Sequence, residues 1–484
     1  MRRTAPASRP RNTRTRPVAA SILALALGVG CRPSTPSMAT HAPSAVPVAK
    51  SAEPRSAAQP RLSLADLSYV LGVKSVVSEP PATTVDGYRA WVRARLAEAE
   101  IYDSLAPRIT ALGTSGNSVT GFLGGPIKSD RGRDFYFHNA AKCTDKDLVA
   151  VRPWWAPDTE VLVCKNDYRP ERIIGKLGKT ACDVTYGGGI HPIQECGCGP
   201  NLIFCSPFQL GRSIDEAMVN EVRDTIRHVV ENDRPFGEIL TTNQTVRSGK
   251  ADFWYNRVEF YRTGKFDFPD LTKPSRLLTR PDYFAGGILS SYPMLFADGP
   301  RSNTAVLFGD FLCVPMRSAA VFTDRIVEVA HGLAEKAGDL RSEPVLELAK
   351  TEGCQNCHAK LENGFIARSM WKSNLNGLHL SSGPPKYTTM QFYVRSHKDL
   401  RAEGPANLGW FGETMRKQPE FPACMTSKIA SWLYEGQSAP PDVMDTLLSR
   451  FEQGQNMKQL IEDAVIARAF GRAAIDSSPP RRDN

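Results

Sequence analysis

The stretch Cys354-Gln355-Asn356-Cys357-His358 is the most specific chemical pattern in this chain of 484 residues. Two thiols separated by two residues can add to the two vinyl groups of a haem, and the histidine that follows can bind its iron. The pattern predicts one covalent haem c, held by Cys354 and Cys357, with His358 as an axial iron ligand. Covalent attachment retains a cofactor without a deep pocket, so the surrounding segment can be small.

Three other interpretations of the cysteine pair stay open. The pair could be a redox dithiol, although no thioredoxin-like pattern of strand and helix surrounds it. It could be half of a zinc site, although no second pair follows at zinc-finger spacing. It could also be a chance pattern in a chain with eleven cysteines. The histidine at position 358 and the export signal described below favour haem.

A sixth iron ligand is expected downstream of the motif. Small cytochromes c commonly use a methionine thioether for this purpose. Met390 is the prediction, because it lies 32 residues after His358 and follows the loop-forming Gly383-Pro384-Pro385. The other side chains with suitable donor atoms are Met370, Met415, Met425, His379 and His397. An open sixth position would instead favour chemistry on a small molecule.

The N-terminus is typical of an exported protein. Six arginines precede the apolar run Val18 to Val29, and small residues follow it. Gly28-Val29-Gly30-Cys31 resembles a bacterial lipobox, although Gly28 stands where leucine is usual. We expect a lipoprotein anchored through lipid on Cys31, on the outer membrane and facing the periplasm or the cell surface. An ordinary signal peptide cleaved nearby is the alternative.

Net charge gives little reason to expect a nucleic-acid partner. The chain carries +9 at pH 7, and removing the six arginines of residues 1–30 leaves +3. A nearly neutral body attracts a phosphate backbone only weakly. The sequence also contains no Gly-rich phosphate loop with a lysine, no Ser-His-Asp order and no nucleophile elbow.

The remaining cysteines favour disulfide bonds. When Cys31, Cys354 and Cys357 are set aside, an even number is left, as is typical of an exported chain with disulfides. These eight candidates are Cys143, Cys164, Cys182, Cys196, Cys198, Cys205, Cys313 and Cys424. Six of them lie between positions 143 and 205, which predicts a loop-rich module; a thiolate metal site around Cys196 is the alternative. By elimination, Cys313 is predicted to pair with Cys424.

Composition divides the chain into parts, and the fold class expected is mainly α and multi-part. The predicted parts are a signal peptide (1–30), a Pro/Ala/Ser-rich tether (31–60), a helical N-terminal region (61–119), a Cys-rich module of loops and short strands (120–212), a mostly helical domain (213–349), a helical cytochrome c-like haem segment (350–437), a C-terminal helical segment (438–475) and a disordered tail (476–484). A capping box predicts a helix start at Ser213. Residues 321–350 are predicted to be helical, and the last amphipathic stretch is expected to break near Gly454.

Several short segments between residues 210 and 470 share the pattern of one family. They are Arg223 to Val246, Gly286-Gly287-Ile288-Leu289-Ser290, Phe311-Leu312-Cys313-Val314-Pro315, Cys354 to His358 with Leu361 and Gly364-Phe365, Phe421-Pro422-Ala423-Cys424, Trp432-Leu433-Tyr434-Glu435-Gly436, and Gln459-Leu460-Ile461 through Phe470. These segments resemble the planctomycete-type cytochrome c proteins of planctomycetes and myxobacteria. The family's acidic run after Gly-Phe is replaced here by the basic, aromatic stretch Ile366 to Trp371. The resemblance implies haem binding and electron transfer, with no defined substrate.

Three functions are compatible with these expectations. The first is transfer of single electrons to or from a redox protein that the sequence does not identify. The second is an oxidoreductase, in which the haem acts on peroxide or relays electrons to a site in residues 120–212. The third is a surface-anchored binding module in which haem is structural.

Overall fold

A computed structural model describes most of the chain between residues 64 and 476. The described ranges are 64–72, 84–110, 128–129, 135–137, 148–164, 200–203, 207–263, 265–296, 300–316, 332, 344–374, 377–380 and 385–476. The predicted signal peptide and tether, with Cys31, lie outside these ranges, as do the tail from 477 onwards and most of the helix predicted for 321–350. In the described remainder of that predicted helix, residue 332 is helical and residues 346–350 form turns.

Helices make up most of the described structure, in agreement with the predicted fold class. They are α1 (Leu64–Leu71), α2 (Val85–Leu96), α3 (Ala99–Ile109), α4 (Phe208–Glu231), α5 (Gly249–Thr263), α6 (Tyr292–Phe296), α7 (Pro300–Leu312), α8 (Gln355–Ala367), α9 (Leu408–Arg416), α10 (Glu420–Leu433), α11 (Pro441–Gly454), α12 (Met457–Phe470) and α13 (Ala473–Asp476). Short 3-10 turns cover Pro200–Leu202, Phe236–Leu240, Asp282–Phe284 and Gly287–Ser290. Among these described helices, none combines the length and the hydrophobicity that crossing a bilayer requires.

The strands are short and form small sheets. They are β1 (Lys128–Ser129), β2 (Phe135–Phe137), β3 (Leu148–Val151), β4 (Val161–Cys164), β5 (Gln244–Arg247), β6 (Arg276–Thr279), β7 (Trp371–Asn374), β8 (Gly377–Leu380), β9 (Thr389–Tyr393) and β10 (Leu400–Pro405). The order β1-β2-β4-β3 forms one sheet, in which β2 and β4 run parallel and Val149 of β3 pairs with Val163 of β4. The other strands form antiparallel pairs. β5 pairs with β6 although helix α5 lies between them in the chain, and β7–β8 and β9–β10 are hairpins. The short strands predicted for residues 120–212 are therefore present.

Helix α4 carries the apolar stripe that its sequence predicts. Its fully buried members include Met218, Val222, Ile226 and Val229. The helix begins at Phe208, so the start predicted from the capping box at Ser213 is wrong. The Ser213 hydroxyl donates to the Leu210 carbonyl at 2.9 Å, one turn inside the helix. Packing of the buried stripe extends the helix toward its N-terminus beyond the local capping signal.

The break expected near Gly454 separates α11 from α12. Gln455 has a φ of 50° and ends α11 in the left-handed conformation. Asn456 then caps α12, because its side chain accepts a hydrogen bond from the backbone N–H of Gln459 at 2.9 Å. The amphipathic stretch thus becomes two helices that pack against each other and against α10.

The N-terminal and C-terminal helices meet through buried ion pairs. Arg89 of α2 lies 3.0 Å from Asp463 of α12, and Arg93 donates two hydrogen bonds to Glu462. Arg450 of α11 lies 2.8 Å from the second oxygen of Asp463. One cluster of buried apolar residues extends from Val70 to Ile475, so distant parts of the chain share a core.

The predicted haem segment is less helical than expected. Helix α8 and the later helices α9 and α10 are present, but residues 371–405 form the hairpins β7–β8 and β9–β10. The side chains of β9 alternate between exposed and buried positions, which is the period of a strand. The segment predicted as helical at 350–437 therefore has helices toward its two ends and two hairpins in its middle. Helix α8 itself packs against α7 on one side and β9 on another.

Candidate functional site

The cysteine-histidine motif forms a turn that leads directly into α8. Gly353 has a φ of 82°, a left-handed value that favours glycine, and it precedes Cys354 at the helix start. The backbone N–H of His358 donates to the Cys354 carbonyl at 3.0 Å, which closes the first helical turn. Cys354 and Cys357 both have free thiols and are partly buried.

Helical geometry places the three candidate side chains of the motif on adjoining positions of one surface. Residues three and four apart are neighbours on a helix, so Cys354 lies beside both Cys357 and His358. The Cys357 thiol donates to the backbone carbonyl of Met316 at 3.3 Å. Met316 follows α7, so the segment after that helix lies against the motif.

A buried carboxylate holds the ring of His358. Nδ1 of His358 lies 2.7 Å from Oε1 of Glu362, whose side chain is fully buried. Arg301 of α7 donates one hydrogen bond of 2.6 Å to each oxygen of the same carboxylate, and the backbone N–H of Val345 donates another at 2.7 Å. Because a carboxylate oxygen can only accept, the hydrogen-bonded Nδ1 carries the proton. In the neutral ring, Nε2 keeps the lone pair that a metal requires.

The charge state of Glu362 follows from these contacts. Burial by itself would raise the pKa of this carboxyl group, but hydrogen bonds from His358 and Arg301 outweigh burial and lower the pKa below its ordinary value. Glu362 is therefore an anion at neutral pH. Histidines that bind metals commonly donate their other ring nitrogen to such a carboxylate, which fixes the tautomer and the orientation of the ring. The residues present thus fit an iron ligand at His358.

The Cys354 thiol differs from the attacking thiol of a redox dithiol. Burial, and then the nearby Cys357, raise the pKa of Cys354 above its ordinary value. Thioredoxin-like sites instead lower the pKa of the attacking cysteine, because the thiolate is the nucleophile. The environment of Cys354 therefore disfavours the dithiol interpretation. Within the described ranges, no group of three or more His, Cys, Asp or Glu residues is arranged to hold a metal ion.

The opposite face of α8 contacts the hairpin β9–β10 and the loop between its strands. Oδ1 of Asn356 lies 2.7 Å from Nδ1 of His397, and the Lys360 ammonium donates to the Arg395 carbonyl at 3.0 Å. Asn363 accepts a hydrogen bond of 2.7 Å from the backbone N–H of Gln391. Positions 356, 360 and 363 form one helical stripe, whereas His358 and Glu362 point toward α7 and Val345.

Met390 stays a prediction as the sixth iron ligand. It lies in β9, next to Gln391, and its side chain is buried in the apolar core. His397 lies beside Asn356, on the α8 face opposite His358. Met415 and Met425 are fully buried core residues of α9 and α10, and Met370 is partly buried beyond the end of α8. The side chain of His379 lies outside the described structure.

No known protein family, curated protein or solved structure matches this chain. The resemblance to planctomycete-type cytochrome c proteins accordingly stays a prediction. Haem attachment at Cys354 and Cys357 stays one as well.

A disulfide bond supports the segment that contacts the motif. Cys313 is bonded to Cys424 of α10, with their Cα atoms 5.2 Å apart, so the predicted pairing of these two residues is present. Cys313 lies just after α7 and three residues before Met316. Five other disulfide candidates lie outside the described ranges: Cys143, Cys182, Cys196, Cys198 and Cys205. Cys164 ends β4, and its side chain is likewise not described.

Three residues around the motif were not predicted from the sequence. Glu362 is four residues after His358, so helical spacing alone could have identified it as a neighbour. Arg301 and Met316 precede the motif by tens of residues, and no local pattern links them to it. Their role depends on how α7 packs against α8.

Proposed function

We propose that this chain is an exported c-type haem protein that transfers single electrons. Cys354 and Cys357 would hold one haem, and His358 would bind its iron. Cys31 would carry a lipid that anchors the protein to the membrane, with the folded body on the periplasmic side or at the cell surface. The partner would be another redox protein, because a haem held by these residues would exchange single electrons.

Covalent attachment of haem requires two thiols that are free and adjacent. Each thiol would add its S–H bond across one vinyl group, so that sulfur bonds to one vinyl carbon and the hydrogen goes to the other, without net oxidation or reduction. Cys354 and Cys357 have free thiols on neighbouring positions of one helical turn, as this reaction needs. Bound haem supplies an iron that gains and loses one electron, and the protein sets its environment.

The observation that carries the proposal is the hydrogen bond from His358 to Glu362. It fixes the proton on Nδ1 and leaves Nε2 for iron, and it does so beside the two thiols. The Cys354 environment adds to this, because a raised thiol pKa does not suit a redox dithiol. Neither observation depends on the resemblance to a family.

A second candidate function is oxidation or reduction of a small molecule such as peroxide. The observation that favours it is the position of His397, which contacts Asn356 on the α8 face opposite His358. If no other side chain binds the iron, its sixth position is open to a substrate.

The experiment is expression of the full chain with a cytochrome c maturation system. After extraction with acid acetone, the denatured protein should keep its haem and give the pyridine haemochrome spectrum of a haem with two thioether bonds. The variant Cys354→Ala/Cys357→Ala should lose the colour, while Glu352→Gln, which changes an exposed residue two positions before Cys354, should keep it. A wild-type protein that loses its porphyrin to acid acetone would contradict the proposal.

The same protein distinguishes the two functions. A six-coordinate, low-spin spectrum and a reversible one-electron titration support electron transfer. A high-spin spectrum, together with turnover of peroxide, supports the second function.

A further inference from the structure

We infer that Glu362 is a positioning residue that strengthens His358 as an iron ligand and holds the reduction potential of the haem low. This inference rests on the proposed function, since it concerns the residue behind the predicted iron ligand. Glu362 does not contact the iron or a substrate. It would act through the ring of His358.

Three donors in addition to His358 fix the carboxylate of Glu362. Arg301 donates to both oxygens at 2.6 Å, and the Val345 backbone N–H donates to Oε2 at 2.7 Å. The Glu362 side chain is fully buried, and that of Arg301 is 18% exposed. Arg301 in turn lies over the ring of Phe365, 5.1 Å from its centre. These contacts allow the carboxylate little freedom to turn away from Nδ1.

An ionised acceptor changes the donor strength of the imidazole. A hydrogen bond from Nδ1 to a carboxylate moves electron density toward Nε2, so the ring becomes a more basic ligand. A more basic ligand stabilises ferric over ferrous iron, and the reduction potential falls. The protein controls haem potential through this kind of hydrogen bond as well as through the identity of the axial ligands. A neutral carbonyl acceptor would have a smaller effect, because hydrogen bonds to charged groups are stronger.

The anion at Glu362 also requires compensation, which Arg301 provides. A buried carboxylate without a partner is costly, and removing one member of a buried pair is strongly destabilising. Arg301 reaches Glu362 from α7, whereas Glu362 and His358 share α8. The packing of these two helices therefore determines whether the carboxylate stays in place behind His358.

The test compares three variants of the matured protein. Glu362→Gln keeps the size of the side chain and removes its charge. Glu362→Asp keeps the charge and shortens the side chain, so that its carboxylate withdraws from Nδ1. Glu352→Gln is the matched control, because Glu352 is exposed, lies two residues before Cys354 and loses the same charge. Each variant is measured by redox titration and by the paramagnetically shifted proton signals of the His358 ring, after haem content is fixed by the haemochrome spectrum.

We expect the potential to rise in both Glu362 variants and to stay near the wild-type value in Glu352→Gln. The His358 ring signals should shift in the same two variants. A rise in Glu362→Gln without one in Glu362→Asp would show an effect of net charge alone and would overturn the inference, as would wild-type potentials in both. A wild-type protein without covalent haem would overturn the proposed function itself, which is a distinguishable result.

Discussion

The backbone N–H of Gln391 donates to Oδ1 of Asn363 at 2.7 Å, and this hydrogen bond fixes strand β9 beside the far half of α8. Asn363 lies five residues beyond His358, which is about 7.5 Å along the axis at about 1.5 Å per residue. It also lies on the opposite face of the helix. Met390, which precedes Gln391 in β9, is buried in the apolar core.

Replacing Met390 by leucine should remove the predicted sixth iron ligand. The two side chains are similar in volume, so the core position should tolerate the change at less than about 1.5 kcal/mol. The measurement is the absorption spectrum of the matured, oxidised protein, including the weak near-infrared band of a thioether–iron bond if one is present. Met415→Leu, a fully buried position of α9, serves as the control. A change of spin state or loss of that band in Met390→Leu alone would show that Met390 binds the iron, and an unchanged spectrum would contradict this prediction.

The disulfide between Cys313 and Cys424 should contribute strongly to stability. It closes a loop with a sequence separation of 111 residues, and a cross-link over a loop of this length is worth about 4–5 kcal/mol in the chain-entropy account. We expect Cys313→Ser/Cys424→Ser to lower the free energy of unfolding by that order, measured by urea denaturation. Peptide mapping without reduction should recover residues 313 and 424 in one linked peptide. Recovery of both as free thiols would contradict the structure.

Gly364 allows the close approach of α8 to α7. A Cβ added at this position would overlap the side chain of Thr304, which is fully buried in α7. We expect Gly364→Ala to destabilise the protein by about 1–3 kcal/mol, the usual effect of overpacking. Thermal or urea unfolding measures the change.

Two further variants separate packing from helix propensity. Thr304→Ala removes the atoms that overlap most, so the double variant with Gly364→Ala should be less destabilised than the two single changes predict together. Gly309→Ala is the control, because an added Cβ there meets open space within α7 and should be neutral or stabilising by up to about 1 kcal/mol. Equal effects at positions 364 and 309 would rule out the packing explanation.

The ion pairs between α2 and α12 should stabilise the contact between these two helices. Arg89 lies 3.0 Å from Asp463, whose side chain is 1% exposed. Arg89→Ala would leave a buried carboxylate with reduced compensation, and we expect a loss of about 3–5 kcal/mol. The half-exposed pair Arg472–Asp476 provides the control, and Arg472→Ala should change stability by less than about 1 kcal/mol. Similar losses in the two variants would contradict a buried network.

Local patterns in the sequence predicted part of this fold. The apolar stripe of α4, the break near Gly454 and the strand ending at Cys164 follow from periodicity and from residues that end helices. Ser213 shows the limit of such signals, since a good capping residue lies inside the helix when the buried stripe continues past it. The strands between residues 371 and 405 were not predicted, because a helical haem segment was expected there.

The candidate site could likewise be predicted only where its residues form a local pattern. Cys354, Cys357 and His358 are contiguous, so their pattern is readable without a structure. Glu362 is visible only once α8 is known to continue past the motif. Arg301 is 61 residues from Glu362, and its contact depends on the packing of α7 against α8. Contacts over such distances carry no periodic signal in a single sequence.

The mass of one peptide tests directly whether haem is covalently attached at Cys354 and Cys357. After expression with a maturation system, denaturation and proteolysis, the peptide that contains residues 354–358 is measured by mass spectrometry. We expect a mass equal to the peptide plus one haem, with loss of the added mass in Cys354→Ala/Cys357→Ala. A wild-type peptide that carries two free thiols, or a disulfide between Cys354 and Cys357, would contradict it.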